Sequence, residues 1–176
     1  MTIKIIDMEK EGLHKLGEID RSEFVRRIHV YTSGSLQTQE LNKDVPRWSE
    51  DEVEDFIRAL TLKIEGGGKL VGAFDNHLLV GIAALGGEFI GENRDELQMA
   101  FLYVSHAYRR QGIAHRLMDR MCELARERGA KRLYISATET ESAVGFYLNY
   151  GCRLASDVNA ELYALEPHDI HMVKDV

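Results

Sequence analysis

The sequence predicts an α/β protein with a mixed central sheet and helices on both faces of that sheet. Two β-prone runs, residues 69–74 and 77–85, are separated by a two-residue polar turn, which is typical of a hairpin. A third run, residues 97–104, leads through a short polar link into a long amphipathic helix, and another β-prone run follows. This alternation of strands and helices predicts the mixed, helix-covered sheet.

Length and composition indicate one globular domain spanning residues 1–176. Of the 176 residues, 44% are hydrophobic and 29% are charged, and the formal net charge is −7. These fractions are ordinary for a globular protein with one core. The acidic balance argues against nonspecific nucleic-acid binding, which needs a basic face, so we expect no nucleic-acid partner.

Nothing in the sequence predicts export or membrane insertion. No apolar run approaches the ~18 residues of a membrane span, and the short run of residues 2–6 is followed by acidic residues. Cys122 and Cys152 stand among apolar neighbours, which predicts buried free thiols in a reducing compartment. We therefore expect a cytoplasmic protein without a membrane partner.

The first part of the chain gives the least decisive pattern. Residues 3–6 predict a strand, and residues 8–19 predict a helix whose inward apolar residues recur every three positions. Residues 20–31 fit a helix and an extended segment about equally. Residues 36–48 are predicted to be mostly irregular, since Pro46 disfavours a helix at the residue before it.

A helix is predicted to begin at Ser49. Ser49 and Glu52 have the spacing of a capping box, in which each side chain accepts a hydrogen bond from the other's backbone N–H. The glycine run of residues 66–68 ends this unit and is predicted to be a turn, because it lacks the Lys-Ser/Thr pair of a phosphate-binding loop. Gly86 and Gly87 are expected to begin the loop to the strand at residues 97–104.

The main functional signal lies at residues 109–114, between that strand and the helix beginning at Gly112. Helix N-termini carry unpaired backbone N–H groups and partial positive charge, which favour phosphate, and Gly112 allows an anion to approach the backbone closely. Arg109 and Arg110 add charged, forked donors. The same residues also fit an ordinary strand–loop–helix unit with solvated arginines, so the junction alone does not distinguish such a unit from a phosphate-binding site.

The remaining elements follow in a regular order. Residues 132–137 predict a strand, and residues 141–149 predict a short helix that ends at Gly151. Residues 152–155 and 170–173 are the candidate last strands.

Two motifs in the second half of the chain resemble the signature of a known family. Arg109-x-x-Gly112-x-Ala114 is similar to the Gln/Arg-x-x-Gly-x-Gly/Ala motif of the GNAT superfamily, the acetyl-CoA-dependent N-acetyltransferases. The segment AVGFYLNYGC, residues 143–152, resembles the second family motif, A-x-x-x-Y-x-x-x-G-F. The resemblance is close over residues 97–154, whereas residues 1–65 match only in the order of their elements.

The resemblance implies a sheet that is mostly antiparallel and splayed at its central strand. It also implies an acetyl-CoA core at about residues 69–155, with acceptor-binding elements mainly in residues 1–65. Acetyl-CoA would be a co-substrate. No metal is expected, since His168 and His171 lack further ligands at metal-binding spacing.

By the same resemblance, the pantetheine arm would pair with the backbone of Leu102, Tyr103 and Val104 as an added strand. The pyrophosphate would lie on the N–H groups at the start of the following helix. The remaining residues of the expected cofactor site belong to the two motifs and are Arg109, Arg110, Gln111, Gly112, Ile113, Ala114, His115, Thr140 and Ala143. Thr140 stands where many members have Asn, and Cys152 stands where they have Phe.

The family reaction implied is direct attack of a neutral amine on the thioester carbonyl, polarised by a backbone N–H near Val104. Tyr147 matches the tyrosine that protonates the departing thiolate, and a core aromatic is the alternative. Gln98 occupies the position of a catalytic glutamate found in some members and cannot accept a proton. Glu96, on the same face of the strand, is therefore the candidate base, alongside a water chain to solvent.

Acceptor contacts are expected in the N-terminal third. Asp20, Glu23, Tyr31 and Trp48 could form an acidic, aromatic-lined pocket for a cationic amine, and ordinary surface or core positions are the alternative for each. We predict acetylation of a small-molecule primary amine, polyamine-, amino-acid- or antibiotic-like. A protein or peptide acceptor and a CoA-binding module without turnover are alternatives, and a homodimer is left open.

Overall fold

The computed structural model describes residues 2–176 and contains a seven-stranded sheet in the order β1-β4-β5-β6-β7-β9-β8, beside a separate β2–β3 hairpin. The strands are β1 (Ile3–Met8), β2 (Glu23–Thr32), β3 (Ser35–Val45), β4 (Lys69–Asp75), β5 (Leu78–Ile90), β6 (Glu96–Val104), β7 (Arg132–Ala137), β8 (Arg153–Leu154) and β9 (Ile170–Asp175). The β6–β7 pair is parallel, and the other pairs are antiparallel. The predicted mixed, mostly antiparallel sheet is confirmed.

Helices cover both faces of this sheet, as predicted. They are α1 (Glu50–Glu65), α2 (Ile113–Glu127), α3 (Glu141–Asn149) and α4 (Ala160–Leu165), with 3₁₀ helices at Lys10–Glu18 and His106–Tyr108. On one face, α2 and α3 share an apolar cluster that contains Leu117 and Val144. On the other face, the first 3₁₀ helix and α1 share a second cluster, which contains Leu16 and Leu60. The predicted capping box of Ser49 and Glu52 begins α1.

The segment predicted as a helix over residues 8–19 is a 3₁₀ helix over Lys10–Glu18. Leu13, Leu16 and Ile19 recur every three residues and are each at most 1% exposed. A 3₁₀ helix has three residues per turn, so this spacing aligns side chains on one side of it. The apolar spacing thus favours the tighter helix.

Residues 36–48 are predicted to be irregular, and this prediction is wrong for most of the segment. They form β3, which pairs along its length with β2, the segment whose sequence fits a helix and a strand about equally. Most of β3 is exposed on both of its faces. A strand with no buried face needs no alternation of apolar and polar residues, so its sequence carries little strand signal.

The glycine runs at residues 66–68 and 86–87 pack backbone against backbone. A Cβ on Gly87 would overlap the carbonyl oxygen of Gly66. The Arg128 guanidinium, at the end of α2, donates to the carbonyl oxygens of Gly67 at 3.1 Å and Gly87 at 2.6 Å. The prediction that a loop begins at Gly86 is wrong. The strand β5 continues to Ile90, and its pairing with β6 shifts register on the way.

A β-bulge in β6 shapes the centre of the sheet. Ala84 pairs with Phe101 and Leu85 pairs with Met99, so Ala100 is an extra residue on β6. A bulge bends its strand, increases the local twist and reverses the side-chain alternation beyond it. Accordingly, Met99 packs with the α2 cluster, whereas Phe101 packs with the cluster on the opposite face.

Directly at this bulge, β6 and β7 separate. They pair only from Glu96 to Met99, although β6 continues to Val104 and β7 to Ala137. We call the opening between residues 100–104 and residues 136–137 the fork. The predicted splay at the central strand is confirmed.

Gly87→Ala should lower the free energy of unfolding by about 2 kcal/mol or more, because the new methyl group would overlap backbone atoms. Gly145→Ala in α3 is the control, since nothing lies within 4 Å of the added Cβ and Ala is the better helix former. Urea unfolding measures both variants. A Gly87→Ala protein as stable as wild type would contradict the close backbone packing.

Candidate active site

The fork presents backbone groups of β6 to a ligand. Ser105 donates its N–H to the Val80 carbonyl oxygen of β5 at 2.8 Å. Backbone groups of a strand point alternately to its two sides, so the N–H groups of Leu102 and Val104 point away from β5 and into the fork. Leu102 and Val104 can therefore pair with an extended ligand as predicted, whereas the backbone of Tyr103 faces β5.

The N-terminus of α2 has the geometry of an anion-binding concavity. Gly112 is its N-cap, in a left-handed conformation with φ 77° and without a capping side chain. Nothing lies within 4 Å of the position that a Gly112 Cβ would occupy. Arg110 is also left-handed, with φ 62°. Such a turn leaves the N–H groups of the first helical turn free for an anion, and the site fits a pyrophosphate.

The Arg109 side chain is used inside the protein. Its Nε donates to the Val104 carbonyl oxygen at 3.1 Å, its Nη1 to the Glu23 carboxylate at 3.1 Å and its Nη2 to the Arg21 carbonyl oxygen at 3.0 Å. The structure thus does not support the predicted donation from Arg109 to phosphate, because all three nitrogens already have acceptors. Arg110 is exposed beside the concavity.

The other predicted residues of the first motif lie in or beside the first turn of α2. Gln111 donates to the Ala107 carbonyl oxygen at 3.2 Å, and Ile113 is buried in the α2 cluster. Ala114 is half-buried. His115 is exposed, and its ring centroid lies 5.2 Å from that of Phe146 on α3. These side chains position the turn, and the backbone N–H groups are what it offers to a ligand.

Thr140 and Ala143 form the N-terminal cap of α3. The Thr140 hydroxyl accepts a hydrogen bond from the Ala143 N–H at 3.2 Å. β2 is joined to this region by a bridge between Ile28 and Thr140 and by the His29 N–H, which donates to the Glu139 carbonyl oxygen at 2.7 Å. The Thr140 side chain therefore has a capping role, and β2 is held at the start of α3.

Tyr147, on α3, is 8% exposed and belongs to the α2 cluster. Burial, followed by the neighbouring Cys152, Tyr103 and Asp169 groups, raises the pKa of the Tyr147 hydroxyl well above its usual value. The same cluster contains Val104, Ala137 and Ile170, which lie at the open end of the fork. A phenol that retains its proton at neutral pH can donate it to a thiolate, which fits the predicted acid.

Glu96 lies at the closed end of the fork. Its carboxylate is 3.1 Å from the Arg132 guanidinium of β7. Burial raises the pKa of Glu96, and Arg132 opposes that shift. At a rise of about 3.3 Å per residue, Glu96 is roughly 26 Å along β6 from Val104. The structure does not bring Glu96 together with Tyr147, and this geometry argues against Glu96 as the base.

Two of the predicted acceptor residues, Asp20 and Glu23, already have cationic partners. Glu23 pairs with Arg109 at 3.1 Å, and Asp20 lies 3.5 Å from Arg47. Hydrogen bonds to Ser22 are the largest influence on Asp20 and lower the pKa of its carboxyl. Both carboxylates anchor the start of β2.

Tyr31 and Trp48 do not complete a pocket with those carboxylates. Trp48 is 8% exposed, and its ring packs against Phe101 and Tyr103 at centroid distances of 5.9 and 4.8 Å. Tyr31 is exposed near the far end of β2 from Glu23, roughly 26 Å away along an extended strand. The four predicted acceptor residues therefore do not converge.

An unpredicted cavity of about 220 Å³ lies beside Tyr31, between β2, residue 139 and residues 154–171. Its polar lining residues are His29, Tyr31, Glu139, Tyr163, His168, Asp169 and His171. These residues come from separate stretches of the chain, so no motif marks them. A second depression, of about 380 Å³, lies near β1 and the first 3₁₀ helix, at the opposite edge of the sheet.

Asp169 is the most perturbed acid in the lining of this cavity. Burial, then the neighbouring Glu166 and Glu139, raises the pKa of its carboxyl to about 6, and His168 opposes the shift. The sequence offers no more than an acidic residue before a β-prone run. Its environment arises only when β9 takes its place beside β7.

Within residues 2–176, no group of three or more His, Cys, Asp or Glu side chains is placed to hold a metal ion. Cys122 and Cys152 are buried free thiols, as predicted. No helix in this range is long and apolar enough to cross a membrane.

Known proteins share this architecture and its motifs. The model of the acetyltransferase (GNAT) family matches residues 34–151, which is more than half of the chain. The chain therefore belongs to the acetyltransferase (GNAT) family, and this membership makes it an acetyl-CoA-dependent acyltransferase. No curated protein matches the sequence.

Solved structures share the fold at low sequence identity. A nourseothricin acetyltransferase has a TM-score of 0.74 and 18% identity, with 99% of each chain covered. PaiA N-acetyltransferase from Thermoplasma acidophilum, in complex with coenzyme A, has a TM-score of 0.65 and 19% identity, with 100% of each chain covered. The ribosomal-protein-S18-alanine N-acetyltransferase from Escherichia coli has a TM-score of 0.62 and 15% identity, covering 99% of this chain and 94% of its own.

Arg109→Ala should lower the free energy of unfolding by about 2–3 kcal/mol, because the Glu23 carboxylate and two carbonyl oxygens lose their donor. Arg110→Ala is the matched control and should change stability by about 0.5 kcal/mol or less. Urea denaturation compares the two proteins. Equal stability would mean that the Arg109 contacts contribute little to holding β2 at the fork.

Proposed function

We propose that this protein transfers the acetyl group of acetyl-CoA to a primary amine of a cationic small molecule. The proposal is supported by two free N–H groups of β6 in the fork, by the uncapped N-terminus of the helix that follows β6, and by the buried Tyr147 hydroxyl. These groups suit, in turn, an extended amide-containing arm, a pyrophosphate and a leaving thiolate.

The chain would hold acetyl-CoA mainly through its backbone. Leu102 and Val104 would pair with the pantetheine amides, and the N–H groups at Gly112 and in the first turn of α2 would receive the pyrophosphate. When bound, acetyl-CoA supplies the thioester carbonyl. The Val104 N–H points into the fork and is suited to stabilise negative charge on the carbonyl oxygen.

Tyr147 would be the acid. Its hydroxyl is protonated at neutral pH, so it can give a proton to the departing sulfur. Its apolar surroundings exclude water from this step.

The volume of the cavity beside β2 favours a small acceptor. The solved neighbours are named for different acceptors, nourseothricin and a ribosomal protein among them, so their shared fold does not choose between classes. Here β2 is fixed at one end through Arg109 and at the other through Glu139, and the cavity beside it is about 220 Å³. This space suits a small amine better than a polypeptide segment.

Release of free CoA from acetyl-CoA tests the function. A panel of primary amines, including diamines, amino acids, aminoglycosides and an N-terminal alanine peptide, would be assayed with a thiol reagent. The proposal requires turnover with a small amine above the rate without an acceptor. Turnover with the peptide alone would favour a peptide acceptor, and binding of acetyl-CoA without any turnover would indicate a non-catalytic module.

Acetyl-CoA should stabilise the fold, and Gly112→Glu should abolish this effect. A ligand at about 100 times its dissociation constant adds about 2.7 kcal/mol, which a thermal-shift assay detects. Glutamate at position 112 would put a carboxylate in the open space over the concavity. Gly34→Glu is the control, because Gly34 also has a left-handed φ, 82°, and open space around its Cβ. An unchanged shift in Gly112→Glu would place the cofactor elsewhere.

Tyr147→Phe should reduce turnover by about 10²-fold or more while acetyl-CoA affinity changes little. The substitution removes the hydroxyl and keeps the packing of the ring, and positioned acid catalysis contributes about 10²–10⁴-fold. Steady-state kinetics and the acetyl-CoA thermal shift measure the two properties separately. If the variant turns over within about threefold of wild type when chemistry limits the rate, Tyr147 is a core aromatic only.

A further inference from the structure

The cavity of about 220 Å³ is lined by two carboxylates, Glu139 and Asp169, and by the imidazoles of His29, His168 and His171. Within residues 2–176, no Arg or Lys side chain pairs with either carboxylate, and His168 is the neighbour that lowers the pKa of Asp169. By contrast, Glu23 pairs with Arg109 and Glu96 pairs with Arg132. A protein that leaves two neighbouring carboxylates unpaired in one cavity has a place for a cation supplied by a ligand.

Asp169 connects this cavity to the fork. It directly precedes Ile170, which pairs with Ala137 at the open end of β7. It lines the cavity, and its charge also raises the pKa of both Tyr103 and Tyr147. Asp169 is therefore in electrostatic reach of the proposed acid on one side and of the acidic cavity on the other.

We propose that this cavity is the acceptor pocket, and that Asp169 binds the cationic amine there and takes its proton. This inference rests on the proposed function and specifies its acceptor site and its base. It replaces Glu96, which lies at the closed end of the fork. Glu139 is the second anionic contact, and the exposed ring of Tyr31 is an aromatic wall at the cavity.

Transfer of the acetyl group to an ammonium acceptor releases one proton. The ammonium form of the acceptor gives one proton to Asp169, which releases it to solvent through the cavity. The lone pair of the neutral amine then forms the C–N bond at the thioester carbonyl, and the C–S bond breaks. Tyr147 gives its proton to the leaving sulfur, and the second N–H proton of the nitrogen returns to the Tyr147 oxygen. The products are the amide, the free thiol and one proton in water.

The charge around Asp169 favours this task. The titratable groups around it, from the cavity lining and the neighbouring elements, are His29, Tyr31, Tyr103, Glu139, Tyr147, Tyr163, Glu166, His168 and His171. The two glutamates and burial favour its protonated form, and His168 opposes them. Asp169 is ionised at neutral pH and still basic enough to accept a proton from a bound ammonium.

Kinetics of Asp169→Asn with an acceptor from the amine panel test the role. We expect kcat/KM to fall by about 10²-fold or more, while the acetyl-CoA thermal shift persists. The decrease of kcat/KM below about pH 6 that wild type shows should disappear. Asp169→Glu should recover part of the rate. Asp157→Asn is the matched control, because it makes the same change at an exposed site outside the cavity lining and should stay within about twofold of wild type.

The outcomes separate this inference from the proposed function. Turnover of an amine by wild type, with Asp169→Asn within threefold and its acidic limb retained, would overturn Asp169 as the base and leave acetyl transfer intact. Absence of turnover with every amine would count against the proposed function itself.

Unfolding as a function of pH tests Asp169 without turnover. A carboxyl with a raised pKa in the folded state stabilises the fold least above that pKa, so the contribution of Asp169 to the stability of wild type is lost as pH rises from about 4 to 6. Asp169→Asn should therefore melt roughly 2–4 °C higher than wild type at pH 7.5, and the gap should shrink towards pH 4. A gap that is absent or independent of pH would overturn the assignment, because Asp169 would then be an ordinary solvated acid.

Discussion

The unpaired second half of β6 is the constraint on which the rest of this structure depends. One extra residue, Ala100, shifts the register of β6 and accompanies its separation from β7 after Met99. Backbone groups left open inside a sheet are costly unless water or a ligand pairs with them. These unpaired backbone groups lie at the centre of the sheet. An extended co-substrate can pair with them there and complete the sheet.

Long-range contacts hold the fork open in a fixed shape. Arg109 joins the end of β6 to the start of β2, and the Glu139 carbonyl oxygen receives the His29 N–H further along β2. The hairpin that begins with β2 therefore spans the two arms of the fork although it is not part of the main sheet. His29 and Glu139 also line the cavity of about 220 Å³, so this contact of β2 borders the cavity as well as the fork.

The surroundings of Tyr147 and Asp169, at the open end of the fork, give the two groups very different pKa values. Burial raises the pKa of Tyr147 so that it keeps its proton, and burial with neighbouring acids brings the pKa of Asp169 to about 6. A pair of groups separated in this way can serve as acid and base at one pH. Glu96 instead pairs with Arg132 where β6 and β7 are hydrogen-bonded to each other.

The sequence determined the elements that carry local signals. The Ser49 cap, the β4–β5 hairpin and the Gly112 junction were predictable because capping, turn chemistry and apolar spacing act between neighbours in the chain. Only the tertiary structure decided that residues 36–45 pair as a strand, because an edge strand exposed on both faces carries no periodicity. It also decided that Arg109 binds Glu23 rather than a ligand, and that Asp169 becomes a perturbed acid. These properties depend on burial and on charges brought from distant parts of the chain, and no local pattern records them.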